Sequence, residues 1–201
     1  MSEKDQDSWN ERYRAATSRP PVSSFLRSLD ALLPRTGLAL DVAGGAGQNA
    51  AWLADRGLAV TLLDVSDVAL AQADPRLTRL HLDLDAQPLP PGPFAILLWL
   101  NFLDRRRLTE VATVLAPGGL FVFAHPTRRN LERHSAPSAR FLLDAGEVES
   151  LAPSLEVLLR AEDWFDGRHA ARLVARAQAS SAGAKMTRDL GRLQREYGAH
   201  E

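Results

Sequence analysis

The stretch "LALDVAGGAGQNAAWLADRGLAVTLLDVS", Leu38 to Ser66, decides the fold. An apolar run of strand length ends in a glycine-rich turn, a helical pattern follows, and a second apolar run closes the stretch. Because glycine lacks a Cβ, a strand, glycine turn and helix in this order let the backbone approach a ligand closely. Asp41 precedes the glycines and Asp64 ends the second run. The stretch therefore predicts a binding site at the ends of two strands.

The length and charge of the chain predict one main domain without a general attraction to polyanions. A chain of 201 residues with 45% hydrophobic content can bury one good core. We expect a single domain over 1–180, including an N-terminal lid segment of about 1–20, and a C-terminal helical extension over 181–201. The net charge of −1 favours neither nucleic acid nor membrane as a partner. The three arginines at 105–107 are more typical of a solvated helix face.

Cysteine is absent from the sequence, which excludes disulfides, thiolate metal sites and a cysteine nucleophile. No histidine or carboxylate spacing typical of a metal site stands out, so we predict no metal. The N-terminus, "MSEKDQDSWNERY", is polar and acidic, unlike a signal peptide or a membrane anchor. We therefore expect a cytoplasmic protein.

Strand and helix patterns alternate along most of the chain. A helical pattern runs from Val22 to Leu33, and another follows an N-capping Asp104, reaches Leu115 and stops at Pro-Gly-Gly. The fifth strand is "LFVFAH". This alternation predicts a Rossmann-like, doubly wound α/β fold, a mostly parallel sheet with helices on both faces.

The C-terminal part departs from this alternation. Asp166-Gly167 is a two-residue hairpin signal between two strand-like runs, so an antiparallel hairpin should complete the sheet. Beyond it, apolar residues at helical spacing predict a helix at the surface or at a partner interface such as that of a homodimer: Met186, Leu190, Leu193 and Tyr197.

The two aspartates separate two classes of ligand. Asp64 at the end of the second strand suits the hydroxyls of a ribose, so an adenosine-type ligand is expected. Read from Gly45, "GAGQNA" also satisfies the dinucleotide form G-x-G-x-x-A, which would make the protein an NAD-binding oxidoreductase. A carboxylate at Asp41 would repel a pyrophosphate, whereas it would attract the ammonium and sulfonium groups of S-adenosylmethionine. Asp41 has the plainer alternative of capping the following helix.

At these residues the sequence resembles the class I S-adenosylmethionine-dependent methyltransferases. The similar segments are "LDVAGGAG", "LLDVS", "LDLDAQPLP" and "LAPGGLFVF". The resemblance is closest to small bacterial methyltransferases of the tellurite-resistance TehB-like group. Trp9-Asn10-Glu11-Arg12-Tyr13 is similar to their W-D-x-R-Y, Gln48-Asn49-Ala50 to their R-N-A, and "SARFLLDAGEVESL" to their F-L-L-x-x-G-E-L. Together these segments cover roughly residues 9 to 177.

This resemblance implies S-adenosylmethionine as the cofactor and assigns residues to it. The methionine end would contact Asp41, Gly44, Gly45 and Gly47. Asp64 would bind the ribose, Asp83 with Leu84 would face the adenine, and Trp99 to Phe102 would line the pocket below the methyl group. Val65, Trp99 and Asn101 complete the expected cofactor set, while Trp9, Tyr13 and Phe102 are the expected substrate or lid residues. Packing on the domain explains Trp9 and Tyr13 equally well. Asp83 and Asp85 are alternatives for the residue that faces the adenine.

Three departures from the family pattern leave the acceptor open. Ala46 stands where an acidic residue is common, Gln48 replaces arginine, and "AHPT" after the fifth strand lacks an acidic residue.

Two histidines are candidates for a general base near a methyl acceptor, His125 and His134. His81, His169 and His200 are expected to be structural or exposed. An anionic or soft nucleophile needs no base, which suits a sequence without an obvious catalytic dyad. The sequence thus predicts S-adenosylmethionine-dependent methyl transfer to a small-molecule acceptor. The alternatives are a domain that binds the cofactor without turnover, as a sensor or a partner subunit, and, less favoured, the oxidoreductase.

Overall fold

The chain folds around one seven-stranded sheet. The computed structural model describes residues 3–179, so the predicted C-terminal helix and the dimer contact assigned to it lie outside the described residues. The strands are β1 Leu38–Val42, β2 Ala59–Asp64, β3 Thr78–His81, β4 Phe94–Leu100, β5 Leu115–Pro126, β6 Glu156–Phe165 and β7 Arg168–Arg176. Their order is β3-β2-β1-β4-β5-β7-β6. The first five pair in parallel, and β7 pairs antiparallel with both β5 and β6. The predicted fold class is confirmed.

Short helices connect the strands. They are α1 Glu3–Ala15, α2 Ser24–Ser28, α3 Gln48–Ala54, α4 Asp67–Gln72, α5 Arg105–Leu108 and α6 Val111–Val114, with 3-10 helices at Arg128–Glu132, Ala139–Phe141 and Glu147–Ser150. Side chains cap the starts of three of them, and at α2 the Ser23 hydroxyl accepts from the Leu26 N–H. The Ser66 hydroxyl accepts from the N–H of Ala69 at the start of α4, and Asp104 accepts from the first N–H groups of α5. Within 3–179, no helix is both long enough and apolar enough to cross a membrane.

Two predicted helices are shorter than their patterns suggest. The helix expected over Val22 to Leu33 covers only α2, because the chain continues in tight turns such as the 2.8 Å bond from the Leu32 N–H to the Leu29 carbonyl. The helix after Asp104 breaks into α5 and α6, and Leu115 already pairs with Phe94 in the sheet. The spacing of apolar residues alone does not show where these two helices end.

The hairpin signal at Asp166-Gly167 agrees with the structure, whereas the prediction for the three arginines at 105–107 does not. Asp166 and Gly167 have φ of +50° and +80°, the left-handed pair of a tight hairpin turn, and they join β6 to β7 as predicted. The arginines do not form a simple solvated face. Arg105 pairs with Glu147, Arg106 with Asp104, and Arg107 donates to the Leu84 carbonyl at 2.6 Å. These bonds connect α5 to the loop after β3 and to the segment before β6.

Apolar layers cover both faces of the sheet. Alternate residues of each strand enter one layer or the other, as expected for buried parallel strands. The layer under α3 and α4 contains Ala39 of β1 and Leu62 of β2. Asp41 and Asp64 each lie two residues further along these strands, so both carboxylates lie on this face at the carboxyl edge of the sheet. The fold therefore brings together two aspartates that are 23 residues apart in sequence (64 − 41).

Candidate cofactor site at the carboxyl edge of the sheet

The site lies where the strand order reverses. β1 has β2 on one side and β4 on the other, and in open α/β sheets ligands bind in the crevice at such a switch point. The glycine turn follows β1 here. A Cβ on Gly44 would lie 2.6 Å from the carboxyl carbon of Asp41, and Gly47 begins α3 with a φ of +77°. Glycine is required at both positions, for space at the first and for backbone conformation at the second.

Asp64 is tied to the glycine turn. Its side chain is buried, with Oδ2 accepting from the Gly45 N–H at 2.8 Å and Oδ1 from the Ser66 N–H at 2.8 Å. Burial raises the pKa of Asp64, and the N–H groups of Ser66 and Gly45 oppose that rise. Each carboxylate oxygen keeps a further lone pair. Asp64 can therefore hold the turn against β2 and still accept from a ligand hydroxyl.

Asp41 is the most deeply buried acidic group of the site. It is 1% exposed, and its Oδ2 has no hydrogen-bond partner. Burial, and then the charge of Asp64, raise the pKa of Asp41 to about 8, while the Ala50 N–H lowers it. Within residues 3–179 neither aspartate forms an ion pair. Buried polar groups are normally satisfied, so an orphan carboxylate oxygen beside a second carboxylate favours a cationic ligand.

Helix α1 covers the glycine turn. A Cβ on Gly45 would overlap the hydroxyl oxygen of Tyr13, so this ring lies directly over the turn. Burial, and then the negative charge of Asp64, raise the pKa of Tyr13 to about 12. Trp9 lies one turn earlier in α1, with its ring centroid 6.2 Å from that of Tyr13. The structure thus brings both expected lid residues to the site.

Asn10 anchors α1 to the start of α4, a role that the sequence interpretation missed. It is 7% exposed, its Nδ2 donates to Asp67 Oδ1 at 2.8 Å, and its Oδ1 accepts from the Ser66 hydroxyl at 2.6 Å. Ser66 also donates its N–H to Asp64. A hydrogen-bonded chain therefore runs from α1 through Ser66 to Asp64. The only sequence signal was an amide beside Trp9 in the motif that resembles W-D-x-R-Y.

The residues after β2 and β3 continue the same edge of the sheet. The Val65 carbonyl contacts His81 Nε2 at 2.8 Å. Asp83 Oδ1 accepts from the Asp85 N–H at 2.9 Å and shapes the turn after β3, while Asp85 is exposed and pairs with Arg106. Leu84 is a core residue, since its side chain is 5% exposed. The side chain of Leu84 therefore packs in the core, and the expectation that Leu84 faces the adenine stays a prediction.

The residues expected below the methyl group divide between core and surface. Trp99 has no exposed surface, and its Nε1 donates to the Phe102 carbonyl at 2.9 Å. The side chain fixes the loop after β4, and its role as pocket lining stays a prediction. Asn101 is exposed with a φ of +60°, and Phe102 is half-buried against the Trp99 ring. Within this group, Asn101 and Phe102 are the residues that reach the surface.

The two candidate bases lie on the β5–β7 side of the sheet. His125 is buried, its Nε2 contacts the Phe141 carbonyl at 2.6 Å, and burial lowers its pKa. His134 is exposed, and its Nε2 lies 2.7 Å from the Gly167 carbonyl. His169, expected to be structural or exposed, is buried with Nδ1 2.7 Å from the Thr127 hydroxyl. Among residues 3–179, the hydrogen bonds and ring contacts of these two histidines are with Phe141, Phe123, Gly167 and Trp164, which lie outside the glycine turn.

A family model for a methyltransferase domain matches residues 39–119. Over this stretch the chain is similar to a methyltransferase domain. The match covers β1 to the beginning of β5, which includes the glycine turn and both aspartates. The methyltransferase domain indicates S-adenosylmethionine as the cofactor, and the predicted enzyme class is confirmed. The comparison with curated proteins found no significant match.

Solved methyltransferase structures share the fold. TehB from Haemophilus influenzae superposes with a TM-score of 0.67 at 16% identity, covering 86% of this chain and 67% of its own. A TehB-like S-adenosylmethionine-dependent methyltransferase from Corynebacterium glutamicum gives 0.59 at 18%, covering 88% and 100%. Magnesium protoporphyrin IX methyltransferase from Synechocystis, with bound S-adenosylmethionine, gives 0.64 at 14%, covering 89% and 98%. At these identities the likeness establishes the methyltransferase fold.

The residues present fit the cofactor of a methyltransferase. The orphan Oδ2 of Asp41 can accept from an ammonium group, and Asp64 keeps acceptor positions for hydroxyl groups. In 3–179, no group of His, Asp or Glu could hold a metal ion.

Proposed function

We propose that this methyltransferase transfers the methyl group of S-adenosylmethionine to a small-molecule acceptor that is anionic or a soft nucleophile. The assignment of S-adenosylmethionine rests on two buried carboxylates, Asp41 and Asp64, beside the glycine turn. Within residues 3–179, neither forms an ion pair with a cationic side chain. A dinucleotide pyrophosphate would meet repulsion at the same place.

The chain's residues bind and orient the cofactor in this proposal. Asp41 and the turn Gly44–Gly47 hold its methionine end, and Asp64 accepts from the ribose hydroxyls. The bound cofactor supplies a methyl group on a sulfonium, which is a good leaving group. Tyr13 and α1 cover the turn and exclude water from it. The segment of about 1–20 therefore acts as a lid.

The acceptor class follows from the position of the candidate bases, since a neutral histidine is by itself able to accept a proton. His125 is buried, and its lowered pKa keeps it neutral at neutral pH. It has a free Nδ1, but it lies on the β5 side with its other nitrogen held by Phe141. A nucleophile that arrives ionised, such as a thiolate or a chalcogen oxyanion, requires no proton removal. For this reason we prefer an acceptor that arrives already ionised.

The test is a methyl-transfer assay with isotopically labelled S-adenosylmethionine. The panel holds thiophenol and selenite as soft or anionic acceptors, and glycerol as a neutral hydroxyl acceptor that needs a base. We expect label in the first two products with the wild type and none with Asp64→Asn. Methylation of glycerol alone would overturn the acceptor class. Tight cofactor binding without transfer to any acceptor would favour the sensor or partner-subunit alternative, which truncation after Ser181 tests by its effect on oligomeric state.

A further inference from the structure

A strap formed by residues 138–148 lies along the end of β5, and the cofactor site described above does not use it. The Leu143 N–H donates to the Pro126 carbonyl at 3.1 Å, and the Arg128 N–H donates to the Leu143 carbonyl at 2.8 Å. The Leu143 side chain is fully buried. Backbone bonds and one apolar anchor therefore seat the strap at the carboxyl edge of the sheet.

The strap lies on the side of the cofactor site that faces away from Asp64. In the strand order β2-β1-β4-β5, the ends of β4 and β5 lie on the other side of β1 from β2. Neighbouring strands are about 4.8 Å apart, so the end of β5 lies about 10 Å from the glycine turn after β1. The Asn101 N–H donates to the Ala124 carbonyl at 2.8 Å, which joins the loop after β4 to the same edge. An acceptor that approaches from this side meets that loop and the strap.

An ion pair fastens the strap to α5. Arg105 donates through Nε to Glu147 Oε1 and through Nη2 to Glu147 Oε2 at 2.8 Å, so one guanidinium binds both carboxylate oxygens. The same Nη2 donates to the Leu142 carbonyl at 3.2 Å. Glu147 Oε2 also accepts from the Asp144 N–H at 2.8 Å. Arg105 thus holds the strap at two points, and Glu147 closes the turn between them.

The geometry of this pair distinguishes it from the exposed ion pairs of the chain. The Glu147 side chain is 16% exposed, and the hydrogen bonds from Arg105 lower its pKa, so the carboxylate is ionised at neutral pH. In the pair of Arg160 with Glu149, by contrast, both side chains are about half exposed. A bidentate pair with one largely buried partner fixes its two elements more strongly than an exposed pair does.

The strap presents one aromatic side chain to the surface. Phe141 is 48% exposed, while its carbonyl lies 2.6 Å from His125 Nε2 and the next carbonyl, that of Leu142, accepts from Arg105. The backbone on both sides of this ring is therefore held in place. A ring fixed in this way can contact an apolar or aromatic part of an acceptor with little loss of conformational entropy.

We propose that Arg105 and Glu147 are positioning residues for the methyl acceptor, because their ion pair fixes the strap and the exposed Phe141 ring on the β5 side of the cofactor site. The inference rests on the proposed function, which supplies the acceptor. The pair joins α5 to the strap and not to the glycine turn. It therefore acts on the affinity for the acceptor and leaves the affinity for the cofactor unchanged.

The experiment compares the wild type with Glu147→Gln, Arg105→Gln, Arg105→Lys and Phe141→Ala. The matched control is Arg160→Gln, which removes the exposed ion pair to Glu149. In the methyl-transfer assay, Glu147→Gln and Arg105→Gln should raise the KM of thiophenol by about threefold to tenfold. Arg105→Lys keeps the charge without the planar fork and should give an intermediate KM, and Phe141→Ala should raise the KM as well. Calorimetry should show one affinity for S-adenosylhomocysteine in all variants.

Hydrogen exchange separates positioning from a loss of fold. The strap should exchange faster in Glu147→Gln and Arg105→Gln, while β4 and β5 stay protected. If the wild type methylates glycerol and not thiophenol, the KM of glycerol is compared instead.

A KM in Glu147→Gln and Arg105→Gln equal to that of Arg160→Gln overturns this inference alone and leaves the proposed function standing. Equal weakening of acceptor and S-adenosylhomocysteine binding also overturns it, because it indicates a general loss of structure. A wild type that methylates no compound of the panel refutes the proposed function, and this inference falls with it.

Discussion

Tyr13 lies so close over Gly45 that a Cβ on this glycine would overlap its hydroxyl oxygen. The contact joins α1 to the turn after β1, and the same turn is bonded to Asp64 through the Gly45 N–H. One glycine therefore meets the covering helix on one side and the Asp64 carboxylate on the other. The predictions below depend on this arrangement.

Gly45→Ala should weaken cofactor binding by more than it weakens the fold. Gly45 has a φ of +60°, so alanine costs about 1–2 kcal/mol of backbone strain and also displaces Tyr13. Gly118→Ala is the matched control, because Gly118 has a φ of +77° and no atom near its missing Cβ. Chemical denaturation and S-adenosylhomocysteine calorimetry should show similar stability losses and a binding loss only for Gly45→Ala. Equal affinities would show that the Tyr13 contact does not matter for binding.

Asp64→Asn should reduce cofactor affinity by about tenfold to more than a hundredfold, because it removes a charged acceptor from a buried site. The amide retains one oxygen, which can accept from either the Gly45 or the Ser66 N–H, whereas Asp64→Ala would leave both N–H groups without an acceptor and cost more stability. Asp85→Asn is the control, since Asp85 is exposed and pairs with Arg106. Calorimetry on folded proteins checks both. Equal losses for the two variants would place the pocket elsewhere.

Asp41→Asn should flatten the pH dependence of stability. The pKa of Asp41 is raised from 3.8 to about 8, so the folded protein keeps a proton that the unfolded chain has already released. The free energy of unfolding of the ligand-free wild type should therefore fall as the pH rises from about 4 to about 8, by at most about 1.4 kcal/mol per pH unit from this group.

Denaturation curves at several pH values measure this slope. Asp64, whose pKa is also raised, should leave a smaller slope in the variant. Parallel curves for wild type and Asp41→Asn would mean that Asp41 ionises normally in the folded protein.

Asn10→Ala should loosen α1 without unfolding the sheet. The substitution removes the bonds to Asp67 and to the Ser66 hydroxyl, and hydrogen bonds of this kind contribute about 1 kcal/mol each. Hydrogen exchange should become faster in α1, while β1 and β4 remain protected. Glu11→Ala, at an exposed neighbouring position, is the control. Unchanged protection of α1 would show that its docking depends on other contacts.

The sequence predicted most of the fold because its signals are local. Asp166-Gly167 marks a hairpin through its backbone conformation, with φ of +50° and +80°. The split of the helix after Asp104 was not predictable, because Leu115 joins the sheet by pairing with Phe94, far away in sequence. The complete burial of Trp99 was not predictable for a related reason. A strand covered on both faces has no alternation that shows which side chains reach a ligand.

The site was predictable in part. The glycine turn places Asp41 and Asp64 at neighbouring strand ends by topology alone, so their proximity followed from the sequence. Asn10 acts across a tertiary contact between α1 and residues more than 30 positions away, Ser66 and Asp67. The spacing of residue types along the sequence does not predict a contact between residues this far apart.

Calorimetric titration of the wild-type protein with S-adenosylmethionine, S-adenosylhomocysteine and NAD tests most directly that the turn between Asp41 and Asp64 is an S-adenosylmethionine site. We predict one saturable site of micromolar-range affinity for the first two compounds and no binding of NAD. Heat with NAD alone would contradict this.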